Sequence, residues 1–178
     1  MSEINIIRAK PGPETLMANY FAENEQHLQP WSPGVPRNYH SVDNWKQRLK
    51  ERELEFKSDQ SVHFIGTDEQ QTHVIGSCSI SNIVRGVMQA CHMGYPIAEC
   101  YQGQGYMKCI VPFAIKYAFE ELRLHRIMAN HMPANKRSEA LLQNLGFERE
   151  GVAKSYILIN GRWEDHVLNS LINPDQRR

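Results

Sequence analysis

One stretch, residues 90–132, narrows the folds open to this chain more than any other. A strand-like apolar run over 90–97 meets the glycine-containing turn Gln102-Gly103-Gln104-Gly105. A helical pattern follows at once, with Met107, Ile110, Val111, Ala114, Ala118 and Leu122 on one side. A second strand is predicted over 126–132. This is a β-α-β unit, whose two strands have to neighbour each other in parallel or splay apart. Pro112 interrupts the helix, removes one backbone bond and predicts a kink in its second turn.

Around this unit the pattern is antiparallel. A strand is predicted over 4–8, and Gly12-Pro13-Glu14 opens a helix with proline in the first turn. Leu16, Met17, Tyr20, Phe21 and Leu28 keep helical spacing, until Pro30, Pro33 and Pro36 stop it. Ser41 is the expected N-cap of a second helix, with Val42, Trp45, Leu49 and Phe56 as its apolar stripe. Strands over 62–65, 74–80 and 90–97, divided by glycine-containing or polar turns, read as a meander. After the β-α-β unit comes a helix over 135–145, ended by Gly146 at its C′ position. A hairpin closes the chain: 156–159, the turn Asn160-Gly161, and 163–172.

The 178 residues suit a single domain, 1–178, with a real hydrophobic core. Lys plus Arg and Asp plus Glu number 20 each, so overall charge calls for neither a polybasic membrane anchor nor direct sequence-specific nucleic-acid binding. No run approaches the roughly 18 apolar residues of a membrane span. Met1-Ser2-Glu3-Ile4-Asn5 lacks the basic region and apolar run of an export signal, so a cytoplasmic protein without membrane contact is expected. Cys78, Cys91, Cys100 and Cys109 never fall at CxxC spacing, so no metal site is expected, and Cys78 and Cys91 should be buried, inert thiols.

The chemistry is expected where 95–108 turns from strand to helix. A helix N-terminus leaves N–H groups unpaired and carries partial positive charge. Glycines clear side chains from the turn, so a pyrophosphate fits without lysines. The Walker pattern GxxxxGK[ST] is absent, and GxGxxG fails because Lys108 stands where the third glycine belongs. GxSxG and HExxH are also absent. A nucleotide-bearing acyl carrier is the ligand class left.

Gln102-Gly103-Gln104-Gly105-Tyr106-Met107 follows [QR]-x-x-G-x-[GA] except at Met107. Asn135-Lys136-Arg137-Ser138 leads through Leu141, Leu142 and Leu145 to Gly146-Phe147. Three further segments are Ser81-Asn82-Ile83-Val84-Arg85-Gly86, His125-Arg126-Ile127-Met128-Ala129-Asn130-His131-Met132-Pro133 and Gly161-Arg162-Trp163-Glu164-Asp165-His166-Val167-Leu168. With these motifs in order over 4–172, the chain resembles the GNAT superfamily of N-acetyltransferases. Within it, the chain looks most like the RimJ side of the RimJ/RimL branch, which acetylates N-terminal amines of ribosomal proteins. The resemblance implies an α+β (α/β) fold: a mixed, mostly antiparallel central sheet of about seven strands, splayed at its centre and flanked by helices. It implies acetyl-CoA as co-substrate, the N-terminal tail of a ribosomal protein as partner, and association with the ribosome. The coenzyme would be held by Tyr95, Pro96 and Ile97 on the strand, by Gln102, Gly103, Gln104, Gly105, Tyr106, Met107 and Lys108 at the turn, and by Asn135 and Ser138. Pro96 has no N–H, so Tyr95 or Ile97 must polarise the thioester.

The resemblance also implies direct attack by a neutral amine. An α-amine, with a pKa of about 8, is partly neutral near pH 7, whereas a lysine or polyamine amine near 10.4 is not. An N-terminal acceptor therefore suits a chain with no obvious strong base. The tyrosine that many GNAT enzymes use as acid would stand at Leu142. Ser138 is its replacement, as proton donor or only as a cap and partner of the coenzyme. Asn130, the other catalytic candidate, stands where some N-terminal acetyltransferases carry Glu, and it cannot take a proton. Glu99 and His131 are the candidates for a base, and His166 with Asp165 on the last strand are expected to line the amine site. Trp31, Asn82, Arg85 and His166 are expected at the acceptor. Two other readings stay open: a small-molecule acetyltransferase for a polyamine, amino sugar or antibiotic, and a non-catalytic, coenzyme-binding ribosome-assembly factor.

Overall fold

The computed structural model describes residues 3–176. Met1 and Ser2, part of the segment tested for an export signal, lie outside the described residues, as do 177 and 178 at the end of the expected domain. The strands are β1 (Ile4–Arg8), β2 (Val62–Asp68), β3 (Val74–Val84), β4 (Ala90–Gly94), β5 (Arg126–Met128), β6 (Glu148–Ile159) and β7 (Arg162–Ile172). They form one sheet in the order β1-β2-β3-β4-β5-β7-β6. Only β4 and β5 pair in parallel. The helices are α1 (Glu14–Glu23), α2 (Glu25–Leu28), α3 (Val42–Lys57), α4 (Met107–Lys116) and α5 (Lys136–Asn144).

Helices cover both faces of the sheet. Ile110, Val111 and Ala114 of α4 and Leu142 of α5 share a cluster with Phe64, Ile80, Cys91 and Ile127 of the strands. Met17 and Tyr20 of α1 and Trp45 and Leu49 of α3 pack with Ile65 and Val74 in the other. The neighbours Phe64 and Ile65 of β2 thus face opposite ways, as strand geometry requires. Each of the Val, Leu, Ile, Phe and Met side chains in the two clusters contributes about 1.5–3 kcal/mol when fully buried. Cys78 and Cys91 are buried as expected, and burial pushes both thiols up, Cys91 to about 12.

Local rules account for most element ends. Ser41 Oγ accepts from the Asn44 amide and caps α3. Asn160 and Gly161, at φ 47° and 78°, make the two-residue turn between β6 and β7. Several expectations need correction. The first helical pattern does not run on to Leu28: α1 ends at Glu23, and Asn24 turns its side chain back to the Tyr20 carbonyl. Val42 is 43% exposed, because the first position of α3 faces outward rather than into the stripe. The pattern through Leu122 is α-helical only to Lys116, and Tyr117–Glu121 forms a π turn. β6 begins at Glu148, not 156, since its first residues are mostly exposed and charged and show no apolar alternation. β5 stops at Met128, before 132, where it parts from β4, and β4 stops at Gly94, before 97, with its last pair to β3.

Candidate active site

β4 and β5 pair only at Ala90↔Arg126, Cys91↔Ile127 and His92↔Met128. Beyond that, the chain after β4 stays with β3. Gly76 bridges Ile97, the Ser77 amide donates to Pro96 O at 3.0 Å, and the Ala98 amide donates to Ile75 O at 2.9 Å. The chain after β5 stays with β7: the Ala129 amide donates to Asn169 O at 3.0 Å, and His131 bridges Val167. The sheet therefore opens between them. Successive backbone groups of a strand point alternately to its two sides. Pro96 and Ala98 face β3, so the amides of Tyr95 and Ile97 face the gap. The donor that Pro96 lacks would have served β3, not the gap. A Cβ on Gly76 would stand 2.9 Å from Pro96 O and 3.2 Å from Met107 Sδ, so glycine permits this close approach.

A cavity of about 920 Å³ occupies the gap. One wall is the turn into α4. Gly103 and Gly105 adopt φ of 72° and 87°, in the left-handed region that favours glycine. The amides of Gly103, Gly105 and Tyr106 donate to no acceptor among the described residues, and no side chain caps α4. Lys108, Lys136 and Arg137 also line the cavity, and no Asp or Glu does. Lys136 Nζ is paired with the Glu139 carboxylate at 3.0 Å, outside the lining. Free amides at a helix start, with Lys108 and Arg137 beside them and no carboxylate in the lining, fit an anion such as a diphosphate. Gln102 lines the wall with its side chain 2.7 Å from His27 Nε2. Gln104 is absent from the lining, since its amide donates to Cys100 O at 2.7 Å.

The facing wall is α5. Asn135 caps this helix, its Oδ1 accepting from the Ser138 amide at 3.1 Å. Ser138 Oγ lies 2.7 Å from the hydroxyl of Tyr95, and burial pushes that phenol up, so it stays protonated at neutral pH. Leu142, 1% exposed, belongs to the core beneath α5 and does not line the cavity. Asn130 does line it, and its Oδ1 accepts from the Asn169 amide at 3.3 Å. His131 and His166 are both buried on the cavity wall. His131 Nδ1 lies 2.9 Å from Met132 O, and His166 Nδ1 lies 3.1 Å from Glu164 O. A carbonyl oxygen only accepts, so Nδ1 carries the hydrogen and the neutral ring keeps its lone pair at Nε2.

The cavity thus gathers Tyr95, Pro96, Ile97, Gln102, Gly103, Gly105, Tyr106, Met107, Lys108, Asn130, Asn135, Ser138, Trp31 and His166. It does not gather Asn82 or Arg85, expected at the acceptor. Arg85 forks onto Asp59, at 2.5 and 2.6 Å, and donates to Leu122 O, which holds it away from the cavity. Glu99 is exposed, and Asp165 accepts from the Ser155 amide; neither lines the cavity. The sequence reading missed Lys136, Arg137 and His27. Arg137 carried a signal: a cation in a helix's first turn opposes its dipole unless an anion comes to rest there, whereas Lys136 already has Glu139 as its partner. His27 carried none.

The acetyltransferase (GNAT) domain model matches residues 9–148. The chain is 44% identical over 159 residues to the [ribosomal protein uS5]-alanine N-acetyltransferase of Escherichia coli strain K12, covering 89% of this chain and 82% of that protein. Among solved structures, the ribosomal-protein-S5-alanine acetyltransferase from Vibrio fischeri is similar with a TM-score of 0.95 and 38% identity, covering 100% of this chain and 97% of that one. RimJ of Mycobacterium smegmatis, solved in complex with CoA-disulfide, shares the fold with a TM-score of 0.91 at 23% identity, over 99% and 85% of the two chains. A family match over most of the chain, and a relative of this identity and coverage, settle the kinship: the chain belongs to the GNAT family of acetyltransferases.

Proposed function

We propose that this chain, working as one domain, transfers the acetyl group of acetyl-CoA to the N-terminal α-amine of a ribosomal protein. The observation that carries the proposal is the cavity wall, where the free amides of Gly103, Gly105 and Tyr106 stand with the cations of Lys108 and Arg137, the Glu139-paired Lys136 beside them, and no carboxylate in the lining. Acetyl-CoA supplies an anionic handle and an activated acetyl thioester. The turn into α4 binds the diphosphate, with Lys108, Lys136 and Arg137 adding charge. The open edge beyond β4 offers backbone to the pantetheine arm as a strand would, and the amide of Tyr95 or Ile97 polarises the thioester carbonyl. Ser138 faces the same gap from α5. His131 and His166 present Nε2 lone pairs that accept the amine proton, directly or through water. Asn130 does not take that proton; it holds Asn169, and through it the strand that carries His166.

The acceptor follows from charge and kinship together. A polyamine calls for acidic walls, and none of the residues lining the cavity is acidic. An α-amine needs only mild help to lose its proton. Relatives named for alanine acetylation of ribosomal protein uS5 support a protein tail, with Trp31 beside its entry. Such an acceptor places the chain with ribosomes in the cytoplasm; among the described residues no helix is long and apolar enough to cross a membrane. Incubation with acetyl-CoA and short peptides that begin with alanine, read by mass spectrometry, tests the proposal. Acetyl should appear on the N-terminal nitrogen. Transfer to spermidine or an amino sugar, with none to any peptide, would refute the protein acceptor.

A further inference from the structure

Tyr95 and Ser138, from opposite walls of the gap, meet hydroxyl to hydroxyl at 2.7 Å. Two hydroxyls carry two protons, and their mutual hydrogen bond uses one. Neither oxygen makes another hydrogen bond among the described residues. Both side chains line the cavity. One O–H is therefore left to point at whatever lies there. A phenol is a better donor than an alkyl hydroxyl, so the pair orders itself with Tyr95 donating and Ser138 holding the spare proton. Asn135 holds the Ser138 amide from behind and fixes where that hydroxyl starts.

We infer that Tyr95 is a positioning residue: its phenol holds Ser138 so that the Ser138 hydroxyl donates to the sulfur of coenzyme A and stabilises the departing thiolate by a hydrogen bond, without proton transfer. The inference rests on the acetyl-CoA reading above. The sulfur is the acceptor that changes most during reaction: it gains a full negative charge, and a charged acceptor strengthens the bond. Relative acidities decide against proton transfer. A tyrosine starts near 10 and this one is pushed up by burial, whereas a thiol lies near 8.5, so handing a proton to the thiolate runs uphill by more than a power of ten. The amine nitrogen forms the new C–N bond. The C–S bond breaks, and its electron pair leaves with sulfur. The amine's proton goes to a histidine Nε2 or to water, and the thiolate takes its own from solvent. Both hydroxyls keep theirs throughout.

The test is a titration of the thiol of coenzyme A bound to the protein, followed by ultraviolet thiolate absorbance, with affinity measured in parallel by calorimetry. The bound thiol of the wild-type chain should titrate about one pH unit or more below the free thiol, the effect of one hydrogen bond to a charged group. Ser138→Ala should abolish that shift and Ser138→Thr, which keeps a hydroxyl, should retain it. Tyr95→Phe should lose roughly half of it, and Tyr95→Phe with Ser138→Ala should lose no more than Ser138→Ala alone. The kcat should fall in the same order with KM for acetyl-CoA held. A thiol pKa unmoved by Tyr95→Phe, additive losses, or weaker binding without any shift would each overturn the inference and leave the acetyl-CoA reading standing. Failure of the wild-type chain to bind coenzyme A at all would overturn both.

Discussion

His27 Nε2 and the side-chain amide of Gln102, 75 residues apart in the chain, lie 2.7 Å from each other on the cavity wall. This contact ties α2 to the turn into α4 and limits how far Gln102 can swing. One such hydrogen bond has a net worth of about 1 kcal/mol, or roughly fivefold in an equilibrium constant. His27→Ala is expected to weaken coenzyme A binding by about that factor in calorimetry. His27 is only half-buried, so the unfolding midpoint should hardly move. A stability loss with unchanged affinity would mean that the contact serves the fold alone.

Two glycines should fail in different ways. At Gly76 a new Cβ meets backbone, Pro96 O at 2.9 Å, which can yield only by moving the 95–98 segment off β3. Gly76→Ala is expected to cost about 1–3 kcal/mol in denaturant unfolding. It should also lower kcat/KM, since the amides of Tyr95 and Ile97 shift with that segment. At Gly103 a Cβ meets nothing within 4 Å, and the cost comes from φ 72°. Gly103→Ala should lose about 1–2 kcal/mol of stability and, disproportionately, affinity for coenzyme A. Equal behaviour of the two variants would count against both assignments.

What the sequence disclosed about this site followed how local the cause was. The turn into α4 rests on neighbouring residues and could be read directly, whereas Asn135 was expected only at the coenzyme and Ser138 was offered as the cap that Asn135 supplies. From the residue pattern alone, the parting of β4 from β5 was one of two options, and only the family resemblance implied it. The contacts that decide it, Gly76 with Ile97 and His131 with Val167, join distant segments. Arg85 was expected at the acceptor because nothing near it in sequence shows Asp59 waiting across the turn. Leu142 marked a missing tyrosine, but no local pattern could show that a strand residue, Tyr95, reaches across the gap to the Ser138 hydroxyl.

Stability should fall in mild acid because of His63. This ring, 15% exposed on β2, is pushed down to about 3 by burial and by Arg52 and Arg48. The Glu55 carboxylate 3.7 Å away does not reverse that. An unfolded histidine takes up its proton near 6.5, whereas the folded one does not until about 3. Across that window the unfolded state binds more protons, so stability is complete above 6.5 and falls with pH by up to about 1.4 kcal/mol per unit. His40 and His92, lowered by burial, act in the same direction. The carboxylates of Glu53, Asp59 and Glu150, held low by arginine partners, add losses only below about 4.5. Denaturant unfolding between about pH 6 and 5 should therefore show a smaller slope for His63→Gln than for the wild-type chain. Identical slopes would mean that His63 takes up its proton alike in the folded and unfolded states.

His131 and His166 line the cavity away from the turn into α4, each with Nδ1 against a backbone carbonyl. Glutamine at either position can still donate to the Met132 or Glu164 carbonyl, but it cannot accept a proton. The double variant is expected to lose about a hundredfold in kcat/KM toward an alanine-initiated peptide near pH 7. The deficit should shrink above about pH 8, where the α-amine is neutral without help. Coenzyme A affinity should be unaltered, since neither ring stands at the turn into α4 proposed for the diphosphate, and the two single variants should reveal which ring carries the proton. A double variant with wild-type rate at pH 7 and an unchanged acid limb would place proton removal outside the protein, in bulk water.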